Sequence, residues 1–158
     1  MLAVISSVGG NAHAQCSPDL VDPNPVFLPD VTAECFVTVP VPTTTDFCDG
    51  TVSGTTTDPV SYASEGSYVI NWTFTDAAGN STTAVQNVII DDVTNPVPNV
   101  AVLPDVVSEC AVFAITPPTA SDNCGGTIYG IAGTTFPITA TGTTVVTWTF
   151  DDNRGNVI

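Results

Sequence analysis

The sequence predicts an all-β chain of two tandem modules, and three observations carry that expectation. Apolar residues alternate with polar ones over short runs, as in Tyr68, Ile70, Trp72 and Phe74 against Val69, Asn71, Thr73 and Thr75, which is the period of a half-buried strand. Thr, Val and Ile dominate, Pro and Gly punctuate, and no window keeps a helical period. Whole phrases also recur. "LPDVTAEC" at 28–35 returns as "LPDVVSEC" at 103–110, "DFCDGTV" at 46–52 as "DNCGGTI" at 122–128, and "VINWTFTDAAGN" as "VVTWTFDDNRGN". Such self-similarity marks a repeat architecture. Short strands with turns between them suggest, for each module, an immunoglobulin-like Greek-key β-sandwich.

The elements follow in order. Residues 1–14 resemble a secretory leader: Leu2 to Val8 is apolar, and Ala12-His13-Ala14 is an A-x-A cleavage pattern, although a basic start is missing. Residues 15–28 lead in. Residues 29–92 form the first repeat, 93–103 a joint, and 104–158 the second repeat. In the first repeat the aromatic-faced strand ends at Asp76-Ala77-Ala78-Gly79-Asn80, where Gly79 and Asn80 suit positive φ. "STTAVQNVIIDD" is then the returning strand. The second repeat places Val146, Trp148 and Phe150 on one face and stops at "GNVI", so its last strand is expected to be missing. Such a module has an open edge and a groove over its core. The plain reading is a fragment of a longer array; the alternatives are that a strand from another chain fills the gap, with Leu2 to Val8 as a candidate donor and a head-to-tail filament as the product, or that the second module is unstable.

Charge narrows the function. Sixteen acidic residues face one basic residue, Arg154, for a net charge of −15. No basic patch exists to displace counterions from phosphates, which excludes nucleic acid and anionic membrane surfaces as partners. No other stretch approaches a membrane span, so no membrane insertion is expected. The carboxylates stay hydrated, repel one another, or bind cations. Catalysis has little to work with. The single histidine, His13, sits in the leader-like segment, and there is no Lys, so nucleophile–base arrangements lack a base. The acid pairs Asp91-Asp92 and Asp151-Asp152 point to opposite faces of a strand and cannot flank one bond. The chain is read as not an enzyme.

Cys35 and Cys48 lie in the first repeat, and Cys110 and Cys124 at matching places in the second. Four cysteines allow three pairings. Repetition favours one bond inside each module, Cys35–Cys48 and Cys110–Cys124, each worth roughly 3 kcal/mol for a loop of ~14 residues. Zinc is the weaker alternative, for want of four ligands per module. Cys16 is left unpaired. Its fate stays open between a free thiol, a bond to another chain, and removal.

The ordered set P-D-V-x-x-E-C, D-x-C-x-G-T, W-T-F-x-D-x-x-G-N and V-I-I-D-D-V-T-x-P resembles the hyalin-repeat (HYR) family over residues 21 to 158. It is most similar to the tandem copies in secreted surface proteins of Bacteroidetes-type bacteria. The resemblance implies an immunoglobulin-like sandwich used in adhesion and as a spacer, without catalysis. It places the chain outside the cell, at a cell surface. Its partners would be neighbouring repeats or copies of itself, with surface glycans or proteins.

No cofactor is required, but calcium is a candidate ligand, since it takes six to eight oxygens. Asp91 and Asp92 sit at the joint, Asp30 and Asp105 near the module entrances. Asp76 and Asn80, then Asp151, Asp152 and Asn156, lie in the turns. The plainer role for Asp76 and Asp151 is capping their own turns. Trp72 and Trp148 could form a sugar-stacking platform, which would make the chain a carbohydrate-binding accessory module of a secreted enzyme. Their place in the alternation favours the core instead. Asn71-Trp72-Thr73 and Asn80-Ser81-Thr82 are sequons that matter only in a eukaryotic host.

Overall fold

The computed structural model describes Cys16 and residues 18–158. The leader, His13 and the Leu2 to Val8 donor segment lie outside the described residues. Among those residues the chain is all-β, with no helix. The strands are β1 (Val31–Ala33), β2 (Val37–Thr38), β3 (Thr43–Asp46), β4 (Gly50–Thr55), β5 (Ser61–Tyr62), β6 (Gly66–Thr75), β7 (Ser81–Ile90), β8 (Val97–Pro98), β9 (Thr119–Asp122), β10 (Gly126–Tyr129), β11 (Ile131–Ala132) and β12 (Trp148–Thr149).

The chain divides into two compact units. The first holds the described residues up to Val31, with Thr38–Tyr62 and Ser67–Ile89; the second holds Thr32–Val37, Ala63–Gly66 and Ile90–Ile158. Three pieces of the first sequence repeat, Thr32–Val37, Ala63–Gly66 and its last residues 90–92, therefore belong to the second unit.

In the first unit the main sheet runs β7-β6-β4-β3. β6 and β7 are the two long strands that the alternation foretold. Ile70, Trp72 and Phe74 of β6 and Val88 and Ile90 of β7 are almost fully buried. The buried Trp72 donates from Nε1 to Gln86 Oε1 at 3.1 Å. Gln86 Nε2 in turn donates to the Pro29 carbonyl at 3.1 Å. This relay satisfies two polar groups that the core would otherwise strand. β4 pairs with β6 through Gly54↔Phe74. A Cβ on Gly54 would lie 3.1 Å from both Trp72 and Phe74, so the aromatic layer needs a bare backbone there. In the β6–β7 turn the positive φ falls on Gly79, at 97°, and not on Asn80. Asn80 instead uses its side chain to tie the turn.

The second unit repeats this plan with less sheet. β9 and β10 form the hairpin equivalent to β3 and β4, with Asp122↔Gly126 matching Asp46↔Gly50. β8 adds to its edge. Gly130 stands in for Gly54, 3.1 Å from Trp148 and 3.2 Å from Phe150 by the same measure. Ala120, Ile128 and Phe150 form the core, and Trp148 packs on it partly exposed. Past the Asp152 turn the chain returns: Phe150 and Ile158 exchange both backbone hydrogen bonds, at 2.9 and 3.1 Å. Leu103, Val107, Val112, Ile138, Val146 and Trp148 line a groove beside this small core.

The disulfides differ from the expectation. Cys16 pairs with Cys48, and Cys35 with Cys124; Cys110 is free and exposed. The within-module pairing fails because the Cys35 segment belongs to the second unit. There its Cα lies 5.1 Å from that of Cys124, inside the usual bonding range. The bonds close loops with separations of 32 and 89 residues. In the chain-entropy picture those are worth roughly 4 and 5 kcal/mol, more than the short loops would give.

Candidate metal sites

Each unit gathers carboxylates at the end where its hairpin turns meet. The reason is local. In D-x-C-x-G and D-x-x-G-N turns the leading Asp bends back to accept backbone N–H groups two to four residues on. Asp46 Oδ1 accepts from Cys48 N at 2.7 Å and Asp49 N at 3.0 Å. Asp122 Oδ1 accepts from Cys124 N at 2.8 Å and Gly125 N at 2.6 Å. Asp76 Oδ1 takes Gly79 N and Asn80 N, at 2.7 and 2.8 Å. Asp152 Oδ1 takes Arg154 N and Asn156 N, at 2.7 and 3.1 Å. A third Asp comes from the strand-free lead into each unit. Asp19 Oδ1 accepts from Val21 N, and Asp92 Oδ1 from Thr94 N.

One oxygen of each carboxylate is thus spent on its turn. The second oxygens of Asp19, Asp46, Asp92, Asp122 and Asp152 are buried and have no hydrogen-bond partner. Asp46, Asp92 and Asp152 are only 4–6 % exposed. In the first unit Asp19, Asp46, Asp49 and Asp76 bring carboxylate oxygens within 4.8 Å of one another. In the second unit Asp92, Asp122 and Asp152 do the same, and Glu34 approaches Asp92 within that distance. Two oxygens sharing a calcium ion at 2.3–2.6 Å stand at most about 5 Å apart, so both groups have the right spread for one ion. The donors are hard oxygens, and the nearby Cys48 and Cys124 are bound in disulfides, which favours calcium over zinc.

The balance of charge points the same way. Arg154 approaches Asp92 at 4.0 Å and Glu65 at 3.5 Å. It is one cation against three clustered carboxylates. Residues 18–89 contain no cationic side chain at all. Burial pushes the carboxyl of Asp76 up, but hydrogen bonds from the Asn80 side chain and from the Asn80 and Gly79 backbone outweigh it and hold the group below the ordinary aspartate value. Asp152 is also held low: burial is outweighed by the Arg154 and Asn156 backbone bonds, helped by the Arg154 charge.

Of the nine residues expected to ligate, Asp76, Asp92 and Asp152 stand in the clusters. Asn80 braces the first, donating to Asp76 Oδ2 at 2.8 Å and the Asp19 carbonyl at 3.3 Å. Asn156 braces the second, donating to the Asp92 carbonyl at 3.0 Å. The other four stand apart. Asp30 accepts from Asn87, and Asp151 caps its own turn at Asn153 N. Asp91 and Asp105 are exposed. Asp19, Asp46, Asp49, Asp122 and Glu34 were not foreseen, although Asp46 and Asp122 open the most visible repeated phrase.

All-β units, each with a disulfide and an acidic pocket, define a class of disulfide-stapled β-repeat chain. Among known proteins the chain is similar to hyalin of Lytechinus variegatus, 34% identical over 129 residues, which cover 75% of this chain and 24% of hyalin. The likeness supports a hyalin-repeat-like chain, and the chain spans about a quarter of the length of that relative. It lends no support to a bacterial source. No protein-family model matches the chain, and no solved structure does.

Proposed function

We infer that this chain is a segment of a non-catalytic extracellular repeat protein of hyalin type. Its immunoglobulin-like Greek-key units serve as adhesive or spacer elements, and each is stiffened by a bound calcium ion. The observation that supports this reading is the acidic pocket present in both units, built each time from a lead-in Asp and two turn Asp residues (Asp19, Asp46 and Asp76; Asp92, Asp122 and Asp152), with buried oxygens on five of these six that lack partners. Two disulfides fit an oxidising, extracellular setting. The likeness to hyalin supports the repeat reading. Asp19, Asp46, Asp49 and Asp76 hold the first ion, with Asn80 bracing. Asp92, Asp122 and Asp152 hold the second, with Glu34 beside them. Trp72 is 1 % exposed and hydrogen-bonded in the core, so it offers no sugar platform.

Calorimetric melting in 10 mM calcium and then in chelator tests the reading. At the affinities usual for extracellular modules, an ion adds about 1.4–2.7 kcal/mol per site. For units of this size that raises the melting temperature by roughly 5–20 °C. Identical melting curves in the two buffers would remove calcium from the proposal.

A further inference from the structure

Cys110 is not an isolated thiol but the second copy of a residue whose partner is visible. Cys35 closes the phrase "LPDVTAEC", and Cys110 closes "LPDVVSEC". The first phrase delivers its end, Thr32–Val37, into the second unit. There it makes three separate attachments. Cys35 bonds Cys124 of the Asp122-Asn123-Cys124 turn. Glu34 Oε2 accepts from Thr94 Oγ1 at 2.7 Å and, by a short contact, from Asn123 Nδ2. The Ala33 carbonyl accepts from Asp91 N at 3.1 Å. The register is therefore shifted by one: the Glu-Cys end of one repeat attaches to the Asp-x-Cys turn of the repeat that follows it. The other Asp-x-Cys turn, at Cys48, obeys the same demand, because its bond also comes from a cysteine earlier in the chain, Cys16.

The second phrase carries the same attachments without their targets. Val107, Glu109 and Cys110 are exposed, Val107 at 92 %. Ser108 bonds only the nearby Ala111 carbonyl. Both Asp-x-Cys turns of the chain are already taken, so neither Cys48 nor Cys124 can serve Cys110.

We propose that Val107–Cys110 is a docking plug for a further repeat of this kind placed next in register along a polypeptide, with Cys110 bonded to that repeat's Asp-x-Cys turn and Glu109 held by its Thr hydroxyl and Asn amide. The bond forms by exchange with a small disulfide such as oxidised glutathione. The Cys110 thiolate attacks one glutathione sulfur and expels a glutathione thiolate. The turn thiolate of the next repeat then attacks the Cys110 sulfur and expels the second. Two protein thiols are oxidised, one glutathione disulfide is reduced to two thiols, and two protons leave the protein. The proposal rests on the repeat reading above but not on calcium, so a failed calcium melt leaves it standing and the reverse also holds.

The test extends the intact chain after Ile158 with a second copy of residues 83–158. By repeat alignment Ile158 corresponds to Thr82, so the extension continues the register. It also puts a copy of Cys124 at almost the same sequence separation from Cys110 as the 89 that separates Cys35 and Cys124. After refolding in a glutathione buffer, peptide mapping is expected to find Cys110 joined to the copied Cys124. The free thiol then moves to the copied Cys110. Glu109→Gln in the extended chain is expected to lower the yield of that pairing by about fivefold, as befits loss of a charged acceptor. Cys110 recovered as a free thiol, as a glutathione adduct, joined to the copied Cys110, or joined between chains would overturn the proposal.

Discussion

Replacing Asp46 by Asn should change the sign of its effect with calcium. The amide keeps an oxygen in the place of Oδ1, so the turn bonds to Cys48 N and Asp49 N survive. What disappears is one negative charge beside Asp19, Asp49 and Asp76, all within 4.8 Å. Two unit charges at that distance repel by roughly 1 kcal/mol in water and roughly 3 kcal/mol at an effective dielectric of 20. In chelator, relief of the Asp19 repulsion alone is then worth about 1 kcal/mol or more. The first unit should melt at least about 4 °C higher than wild type. In calcium the same change removes a ligand, and the calcium-dependent rise of that unit should largely vanish while that of the second unit persists. Differential scanning calorimetry in both buffers reads this directly, with Asp105→Asn, an exposed carboxylate outside both pockets, as the control. If Asp46→Asn lowers the melting temperature in chelator as much as in calcium, Asp46 is a turn anchor only and the reasoning about repulsion is wrong.

Acid should unfold the calcium-free protein through Asp76 and Asp152. Both are held below the ordinary aspartate value of about 3.9, so the folded chain binds fewer protons than the unfolded one. Their contribution is complete above that value and is lost as pH falls through the lower folded values; a circular-dichroism titration in chelator should show the loss there, and Asp76→Asn should flatten it. Gly54→Ala should destabilise by about 1–3 kcal/mol, because the new methyl meets two buried rings at 3.1 Å. Urea unfolding followed by Trp72 fluorescence would measure it, and an unchanged midpoint would show that the aromatic layer yields.

Local pattern carried a good part of this structure into view. The alternation around Trp72 placed β6, its inner face and the returning β7, because a strand's side-chain period is written in consecutive residues. The duplicated D-x-C and D-x-x-G-N phrases held four of the ligand candidates. What stayed hidden depends on distant residues meeting. Asp19 joins Asp46 and Asp76 only after the lead-in segment folds back, and nothing in its neighbourhood distinguishes it from Asp22 or Asp30. The disulfide register was missed for the same reason. Spacing favours the nearest partner, whereas the Cys35 loop belongs to the unit built mainly from later sequence. Asp91 and Asp105 were drawn in by their position at a joint, yet both face solvent.

The Cys35–Cys124 bond has a mechanical meaning. Pulled from its two ends, the chain transmits tension through the Cys16–Cys48 bond, back to Cys35 and across that second sulfur link, and leaves residues 49–123 slack. About 200 Å of extensible length is withheld from the stretched molecule. A tether made this way resists lengthening even after its strands have peeled apart, and it gives up that reserve only when a reductant cuts the link.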